Sequence, residues 1–506
     1  MLVAVSLLAE VARRLGVPYP ILLVVAGLVL GFVPGLSAPV LDPKTFFFFF
    51  LPPLVYSEAY LFSTDELKAH VPEIAVLAVG LVLATAGAVA VLAHGLVGLS
   101  WPAAFVLGAV LGPTDPIAAT AVIRGLGVSG RLVTVLEGES LVNDATALVL
   151  YKLAIGWAGA GALSLGHAAA EFVWVSFGGI GTGALVAWAA LAARRWIREP
   201  EPEIALSLVM PFAAYFPAER LGVSGVLAAV TAGLLMGRDA HAVAPGTRLR
   251  RHAFWEVLVF LLNSTLFLLV GLTFPDVLHR LGGTPPRELV AYAIAIMAAV
   301  VALRMAWMLL LARLGSVLEP RSAGRLRMQE LVVLGWSGMR GGVSLGAALA
   351  VPFTVAGHPF PGRDEIIFVT YTVLLGTLVM PGLTLGGLIR RLGVGSGEAA
   401  SRSDARAHLL RAAVEHLDEL ARNDELPEDV ADMLRALYSS RLEGLRSVPG
   451  HSDGVAPADV VREARHGAIA VQREALAQLA GEGEISDETA RLLERELDLE
   501  EAMSAR

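Results

Sequence analysis

Long apolar runs, separated by short turns that contain charged residues, Gly or Pro, fill the chain up to about residue 391. A helix needs roughly 20 residues to cross the hydrocarbon core of a bilayer, and most of these runs approach that length. The pattern predicts an all-α polytopic membrane protein with thirteen spans. Numbered in chain order, they cover residues 2–13, 19–34, 45–61, 71–97, 101–123, 132–157, 168–193, 203–217, 221–237, 253–274, 288–312, 329–351 and 365–389.

The composition is too apolar for a soluble protein of this size. Of 506 residues, 55% are hydrophobic types and 17% are charged, whereas soluble domains carry roughly 25% charged residues. The mean hydropathy of +0.65 agrees. Cys is absent, which excludes disulfides, thiolate metal sites and cysteine nucleophiles.

The polar end of the chain differs sharply from the rest. Residues 392–506 hold 24 acidic and 13 basic residues, against 23 acidic and 26 basic before them. We therefore predict a transmembrane domain over 1–391 and a cytoplasmic helical tail over 392–506. The spacing of apolar residues in the tail predicts helices over Ala405–Leu420, Glu428–Leu445 and Ser486–Met503.

Lys and Arg in the short loops predict the orientation. With thirteen spans and a cytoplasmic tail, eighteen of these residues lie on the inner side and five on the outer side, as the positive-inside rule requires. The N-terminus is then outside and the C-terminus cytoplasmic. Span 1 has only about twelve residues, too few to cross fully, so we expect either a shortened first helix or a start downstream of the natural one.

The first chemical signal is a helix break with an acid beside it. The sequence Gly112-Pro113-Thr114-Asp115-Pro116 interrupts span 5, and its prolines delete backbone hydrogen bonds. Broken membrane helices expose free carbonyls only where these line a cavity or an ion site. Asp115 can also cap the second half-helix, and the two roles are compatible.

Span 6 carries three acids and an amide within eight residues. In Glu137-Gly138-Glu139-Ser140-Leu141-Val142-Asn143-Asp144, the side chains of Ser140 and Asp144 lie one helical turn apart on the same face. Their oxygens suit a hard cation, and a proton competes for the same carboxylate. Hydrogen bonding between helices is the structural alternative for so many polar groups.

A second break interrupts span 12, at Ser337-Gly338-Met339-Arg340-Gly341-Gly342-Val343-Ser344. If spans 1–6 and 8–13 are inverted six-helix repeats around span 7, both breaks lie in the fifth helix of a repeat. Interrupted segments at corresponding positions indicate a transport site near the middle of the membrane. The glycines could instead only permit close helix packing. We expect Arg340 to offset a carboxylate or the carbonyl ends at the crossing.

Four motifs together resemble the monovalent cation/proton antiporters of the sodium/proton exchanger type, in the branch with an Asn-Asp pair in helix 6. They are FFFFFLPPLVYSEAY at Phe46–Tyr60, GPTDP at Gly112–Pro116, EGESLVND at Glu137–Asp144 and MRGGVSL at Met339–Leu345. The resemblance runs through about residues 15–391. It implies a homodimer whose protomers cross helices 5 and 12 at unwound centres, and electroneutral exchange of one Na⁺ or Li⁺, with K⁺ as a further candidate, for one H⁺.

The same resemblance assigns roles to residues that match the motifs. Asp144 would bind cation and proton alternately, and Asn143 would be a structural hydrogen-bonding residue. Glu139 would pair with an arginine of helix 11, for which Arg304 is the only candidate in this sequence. The other ion-site residues would be Asp115, Ser140, the Thr114 carbonyl and, through water, Glu58.

Other function classes fit less well. A cation channel displays rings of carbonyls around a symmetric axis, and a carrier of another small solute, such as an organic anion, would not place an excess of acids at membrane depth. No triad or paired metal-ligand motif indicates an enzyme. We expect no cofactor beyond the transported ions and no nucleic acid, and we expect a lipid bilayer, the plasma membrane, as the environment. The ligand of the tail is unknown.

Overall fold

The computed structural model describes residues 2–15, 18–33, 46–62, 64–126, 128, 130–160, 165–197, 199–239, 245–281, 286–318, 327–394, 410–411, 414–418, 421–423 and 428–446. They form two compact units, residues 1–398 and 399–506. The helices of the first unit are α1 Leu2–Leu15, α2 Tyr19–Gly31, α3 Leu51–Leu61 with a π-helical turn Phe46–Phe50 before it, α4 Thr64–Ala69, α5 Val71–Val97, α6 Trp101–Leu111, α7 Ile117–Gly125, α8 Gly130–Ala160, α9 Leu165–Arg194, α10 Pro200–Arg220, α11 Gly225–Arg238, α12 Pro245–Arg280, α13 Pro286–Leu318, α14 Met328–Trp336, α15 Gly342–Leu349 and α16 Arg363–Leu392.

Every predicted span falls on one helix or on a broken pair. Spans 5 and 12 are the broken ones, because α6 ends at Leu111 before the first break and α14 ends at Trp336 before the second. Among the residues that the structure describes, five helices are long and apolar enough to cross a membrane. The halves of the broken helices are too short for that measure, as are apolar helices such as α2 and α11, so the count of thirteen crossings and the repeats stay predictions.

The second unit contributes one long helix to the described residues. It is α17, Glu428–Arg446, close to the predicted 428–445, and Arg435 bonds to Asp418 and Asp432 at 2.5 and 2.6 Å. The predicted helix Ser486–Met503 lies outside the described residues, as does most of Ala405–Leu420. The cytoplasmic position of the tail stays a prediction.

The sequence pattern did not indicate a small hairpin that joins α15 to α16. Strands β1, Thr354–Val355, and β2, His358–Pro359, pair antiparallel. Both turn residues have positive φ, 49° at Ala356 and 80° at Gly357, as two-residue hairpins of the tightest type require. The alternation was hidden because each strand has only two residues.

The helices of the first unit pack into two groups. Helices α1–α3 and α9–α12 contact mainly one another, and we call them the flanking bundle. Helices α5–α8 and α13–α16, which include both broken pairs, form the crossover bundle. Each half of the crossover bundle is a long helix, a broken pair and another long helix. The boundary between the bundles is held mainly by α12 against α15 and α16, and by α8 against α3, α9 and α11.

Glycines let the main chains of α2 and α12 touch in the flanking bundle. A Cβ atom on Gly27 would lie 2.3 Å from the Leu268 carbonyl oxygen, and one on Gly271 would lie 2.2 Å from the Val24 carbonyl oxygen. Both neighbours are backbone atoms that cannot rotate away. Small residues at such crossings replace the hydrophobic drive that lipid does not supply.

Gly271→Ala tests this close approach. We expect a loss of about 1–3 kcal/mol of stability, because the added methyl group must push two backbones apart. Gly87→Ala in α5 is the matched control, since nothing lies within 4 Å of its Cβ position, and it should be neutral or stabilise by up to about 1 kcal/mol. The measurement is the thermal unfolding midpoint in detergent, and equal midpoints for the two variants would contradict the packing.

Candidate ion-binding site

The two helix breaks meet each other at their centres. The backbone N–H of Asp115 in the first break donates to the Met339 carbonyl in the second, at 2.8 Å. A Cβ atom on Gly341 would lie 1.8 Å from Asp115 Oδ2, so only glycine fits there. Asp115 Oδ1 also accepts from the Ile117 N–H at 2.8 Å. The carboxyl group of Asp115 is thereby fixed at the crossing and at the start of α7.

Arg340 donates hydrogen bonds to backbone carbonyls that the helix breaks leave unpaired. It is 2% exposed, and it donates to the Leu111 carbonyl at 3.1 Å and to the Gly338 carbonyl at 2.9 Å. The C-terminal end of a helix carries a partial negative charge, which the guanidinium offsets where α6 stops. Arg340 therefore stabilises the crossing, as the sequence predicts, and contacts no carboxylate at bonding distance within the described residues.

Glu139 of α8 forms a buried ion pair with Arg304 of α13. The two guanidinium nitrogens lie 2.5 and 2.8 Å from the two carboxylate oxygens, and Arg304 also donates to the Leu334 carbonyl at 3.2 Å. Both side chains are at most 3% exposed. A two-point geometry of this kind satisfies both buried charges at once. The pair also ties the two halves of the crossover bundle together.

A short chain of hydrogen bonds links that ion pair to the first break. The Thr114 hydroxyl donates to Glu139 Oε1 at 3.0 Å and accepts from Asn143 Nδ2, also at 3.0 Å. Asn143 Nδ2 lies 3.4 Å from the Thr114 carbonyl oxygen as well. Asn143 is fully buried, and its amide nitrogen contacts both the hydroxyl and the backbone carbonyl of Thr114. The amide and the hydroxyl thus fix the break rather than line the centre.

A small cavity lies where the crossing meets the flanking bundle. Its free volume is about 10 Å³, which is room for about one particle the size of a water molecule. Its polar lining comes from three residues with carboxylate groups, three with hydroxyl groups, Asn263 and the backbone of the breaks. The residues that line it are Leu54, Glu58, Pro113, Thr114, Asp115, Ile117, Ser140, Asp144, Asn263, Gly341, Val343 and Ser344.

Two of the acids in this region, Asp144 and Glu58, lack the partners that Asp115 and Glu139 have. Asp144 is 7% exposed, yet among the described residues its side chain forms no hydrogen bond and no ion pair. Glu58, on α3, likewise has no side-chain partner there. Asp115 and Glu139, in contrast, are held by the backbone and by Arg304. Asp144 is therefore a buried carboxylate whose oxygens face the cavity.

The structure brings the five predicted ion-site residues to one cavity. Asp144, Asp115, Ser140, Thr114 and Glu58 all line it. Of the four predicted supporting residues, Glu139 and Asn143 bond to Thr114, Arg304 bonds to Glu139, and Arg340 bonds to backbone carbonyls next to the breaks. Sequence reasoning missed Asn263 and Ser344. Asn263 was detectable as a polar residue inside apolar span 10, and Ser344 lies within the quoted second break, although nothing in the pattern gave it a role.

The donor set is mixed rather than purely acidic. In the described part of the chain, no three His, Asp or Glu side chains come together as a metal centre. The cavity instead combines carboxylate, hydroxyl and amide oxygens with backbone of the breaks. Oxygen donors of this kind suit hard cations, and the transported ion would be a substrate rather than a resident metal.

Many secondary transporters bind their substrate where broken helices meet, and crossed broken helices beside a carboxylate-lined cavity are typical of that class. Residues 1–391 match the family described as "Sodium/hydrogen exchanger, transmembrane", and the chain belongs to that family. It is 36% identical to an uncharacterized Na⁺/H⁺ exchanger of Mycobacterium tuberculosis, over 99% of this chain and 95% of the relative. It is 32% identical to the Na⁺/H⁺ antiporter ApNhaP of Aphanothece halophytica, over 84% of this chain and 79% of the relative.

The fold is similar to that of a solved antiporter. The sodium proton antiporter MjNhaP1 of Methanocaldococcus jannaschii superimposes with a TM-score of 0.62 at 19% identity, over 77% of this chain and 96% of that one. The family resemblance predicted from the four motifs is thus confirmed. The chain is a multi-pass cation/proton exchanger, in a family of transporters rather than enzymes.

Removing either partner of the Glu139–Arg304 pair should strand a buried charge. We expect Glu139→Gln and Arg304→Met each to cost about 3–5 kcal/mol, and the double variant to cost less than the sum. The measurement is thermal stability in detergent. The exposed pair of Arg250 and Glu201, 3.3 Å apart, is the control, and its removal should cost at most about 1 kcal/mol. Additive losses at Glu139 and Arg304 would contradict the coupling.

Proposed function

We propose that this exchanger binds one dehydrated monovalent cation, Na⁺ or Li⁺ with K⁺ as a further candidate, at Asp144. The observation that carries the proposal is the Asp144 carboxylate itself, buried, without a partner among the described residues, and facing a cavity of about 10 Å³. A buried charge needs compensation. A bound cation or a bound proton supplies it, and the two exclude each other.

The other ligands follow from the lining of the cavity. Ser140 lies one turn before Asp144 on the same face of α8, so its hydroxyl reaches the same centre. We assign Asp115, the Thr114 carbonyl and Glu58 to the site as the sequence predicts, and add Asn263 and Ser344 as neutral oxygen donors. Neutral donors solvate a cation without adding charge, which keeps a single carboxylate in control of exchange.

We further propose that exchange is one for one and electroneutral. Asn143 supplies a neutral amide next to Asp144, where a second carboxylate would add a charge. The charge of Glu139 is already matched by Arg304. If Asp115 and Glu58 keep their protonation state throughout, Asp144 carries one positive charge in each direction, as H⁺ or as the cation.

The two bundles support an alternating-access mechanism. Glu58 and Asn263 reach the cavity from the flanking bundle, whereas Asp115, Ser140, Asp144 and Ser344 belong to the crossover bundle. A site on the boundary between two bundles opens to one side or the other when one bundle moves against the other. We propose that the crossover bundle moves as a body, since the Glu139–Arg304 pair and the Asp115–Met339 bond tie its halves together.

The size of the cavity argues against the other candidates. An organic solute needs a far larger volume than one water-sized particle. A channel would need a continuous path, whereas this cavity is confined between the bundles. We expect the protein to work as a homodimer in the plasma membrane, as its family resemblance implies. The charge asymmetry of the loops predicts that its C-terminal tail lies in the cytoplasm.

Asp144→Asn should abolish cation-dependent proton movement, because an amide neither releases a proton nor neutralises a cation. The measurement uses proteoliposomes with an internal pH dye, challenged in turn with Na⁺, Li⁺, K⁺ and an organic cation. Asp276→Asn, at an exposed position on α12, is the matched control and should exchange normally. The assignment fails if folded Asp144→Asn protein retains near-normal exchange.

A further inference from the structure

A second, larger hollow lies on the outer surface of the crossover bundle. It is a groove of about 450 Å³ between α14 and α16. Val332 and Trp336 of α14 form one wall, Leu383 and Leu388 of α16 form the other, and Arg390 and Arg391 stand at its end. None of these residues lines the ion cavity. The groove is therefore a separate feature of the same bundle.

The walls of the groove suit a hydrocarbon chain. Leu383 is 59% exposed, and the polar groups beside it are already satisfied. The Trp336 indole N–H donates to the Thr384 hydroxyl at 2.9 Å, and that hydroxyl donates to the Met380 carbonyl at 2.6 Å. In a membrane protein such a surface meets acyl chains, because no water reaches it there.

The end of the groove carries uncompensated positive charge. Arg390 and Arg391 occupy the last turn of α16 and are exposed. Neither forms an ion pair within the part of the chain that the structure describes. The two arginines in the last turn of α1 differ, since Arg13 and Arg14 both bond to Glu10. A pair of free guanidinium groups next to an apolar groove matches a lipid that has a negative headgroup.

We propose that this groove binds one anionic phospholipid. An acyl chain lies between α14 and α16, and the phosphate of the headgroup is held by Arg390 and Arg391, as in other basic pockets between membrane helices. The bound lipid contacts Trp336, the last residue of α14 before the second helix break. The lipid thereby stabilises the crossover bundle next to the crossing. The proposal does not depend on Asp144 or on the exchange mechanism.

The arginines have a plainer explanation that the test must separate. Cations near the C-terminus of a helix offset its dipole, so Arg390 and Arg391 would stabilise α16 with no lipid bound. That role predicts a change in stability when they are replaced. It predicts no preference for one headgroup over another at Trp336.

Fluorescence quenching by lipids with brominated acyl chains reads the groove directly. The protein is placed in phosphatidylcholine nanodiscs with an equal minor fraction of brominated phosphatidylglycerol or brominated phosphatidylcholine. The signal of Trp336 is the difference between the wild type and Trp336→Phe. We expect its quenching to report about a tenfold preference for the anionic lipid.

The variants locate the headgroup. Arg390→Gln with Arg391→Gln should abolish the preference, the corresponding lysine pair should retain most of it, and Arg13→Gln with Arg14→Gln, which removes the same charge from another helix end, should leave it intact. Equal quenching of the wild type by both lipids overturns the proposal, as does an absence of quenching, which a protein segment in the groove would cause. A preference that persists in the glutamine pair also overturns it. The wild-type comparison decides the matter even if a variant fails to fold.

Discussion

Burying a carboxylate at membrane depth costs several kcal/mol unless a partner compensates it, and this constraint organises the whole crossover bundle. Glu139 forms an ion pair with Arg304, and Asp115 accepts a hydrogen bond from a backbone amide at the start of α7. Asp144 and Glu58 have no side-chain partner among the described residues, and both line the cavity. We propose that Asp144 is the one that is compensated by the transported ion or by a proton.

The helix breaks make this arrangement possible. A continuous helix would turn its backbone groups inward, whereas the prolines at 113 and 116 and the glycine at 341 free peptide groups and let two chains approach. The price of the break is a set of unpaired carbonyls. Arg340 pairs with two of these carbonyls, those of Leu111 and Gly338, by donating a hydrogen bond to each. A buried positive charge and a buried helix end thus stabilise each other.

Much of the site could be predicted from the sequence because its strongest signals are local. Proline and glycine inside an apolar run mark a break wherever the fold puts it, and the spacing of Ser140 and Asp144 fixes their common face. Arg304 was identifiable as the partner of Glu139 only with the family resemblance, and the structure shows that contact.

The missed features depend on tertiary packing. Asn263 reaches the cavity from α12 across the boundary between the bundles, and small polar residues in an apolar span, here Asn263, Ser264 and Thr265, are more often helix-packing contacts. Asn263 was visible in the sequence, but the pattern did not assign it to the site. The hairpin after α15 is too short to show alternation, and the groove beside Trp336 exists only once α14 and α16 pack together.

If one carboxylate exchanges one proton for one cation, as we propose, then cation binding must release a proton, and this release can be measured. Na⁺ is titrated calorimetrically into the detergent-solubilised exchanger in buffers of different ionisation enthalpy, at a pH where the site starts protonated. The dependence of the heat on the buffer gives the number of protons released. The account predicts one proton for each Na⁺ bound. Binding without proton release, or with the release of two protons, would contradict it.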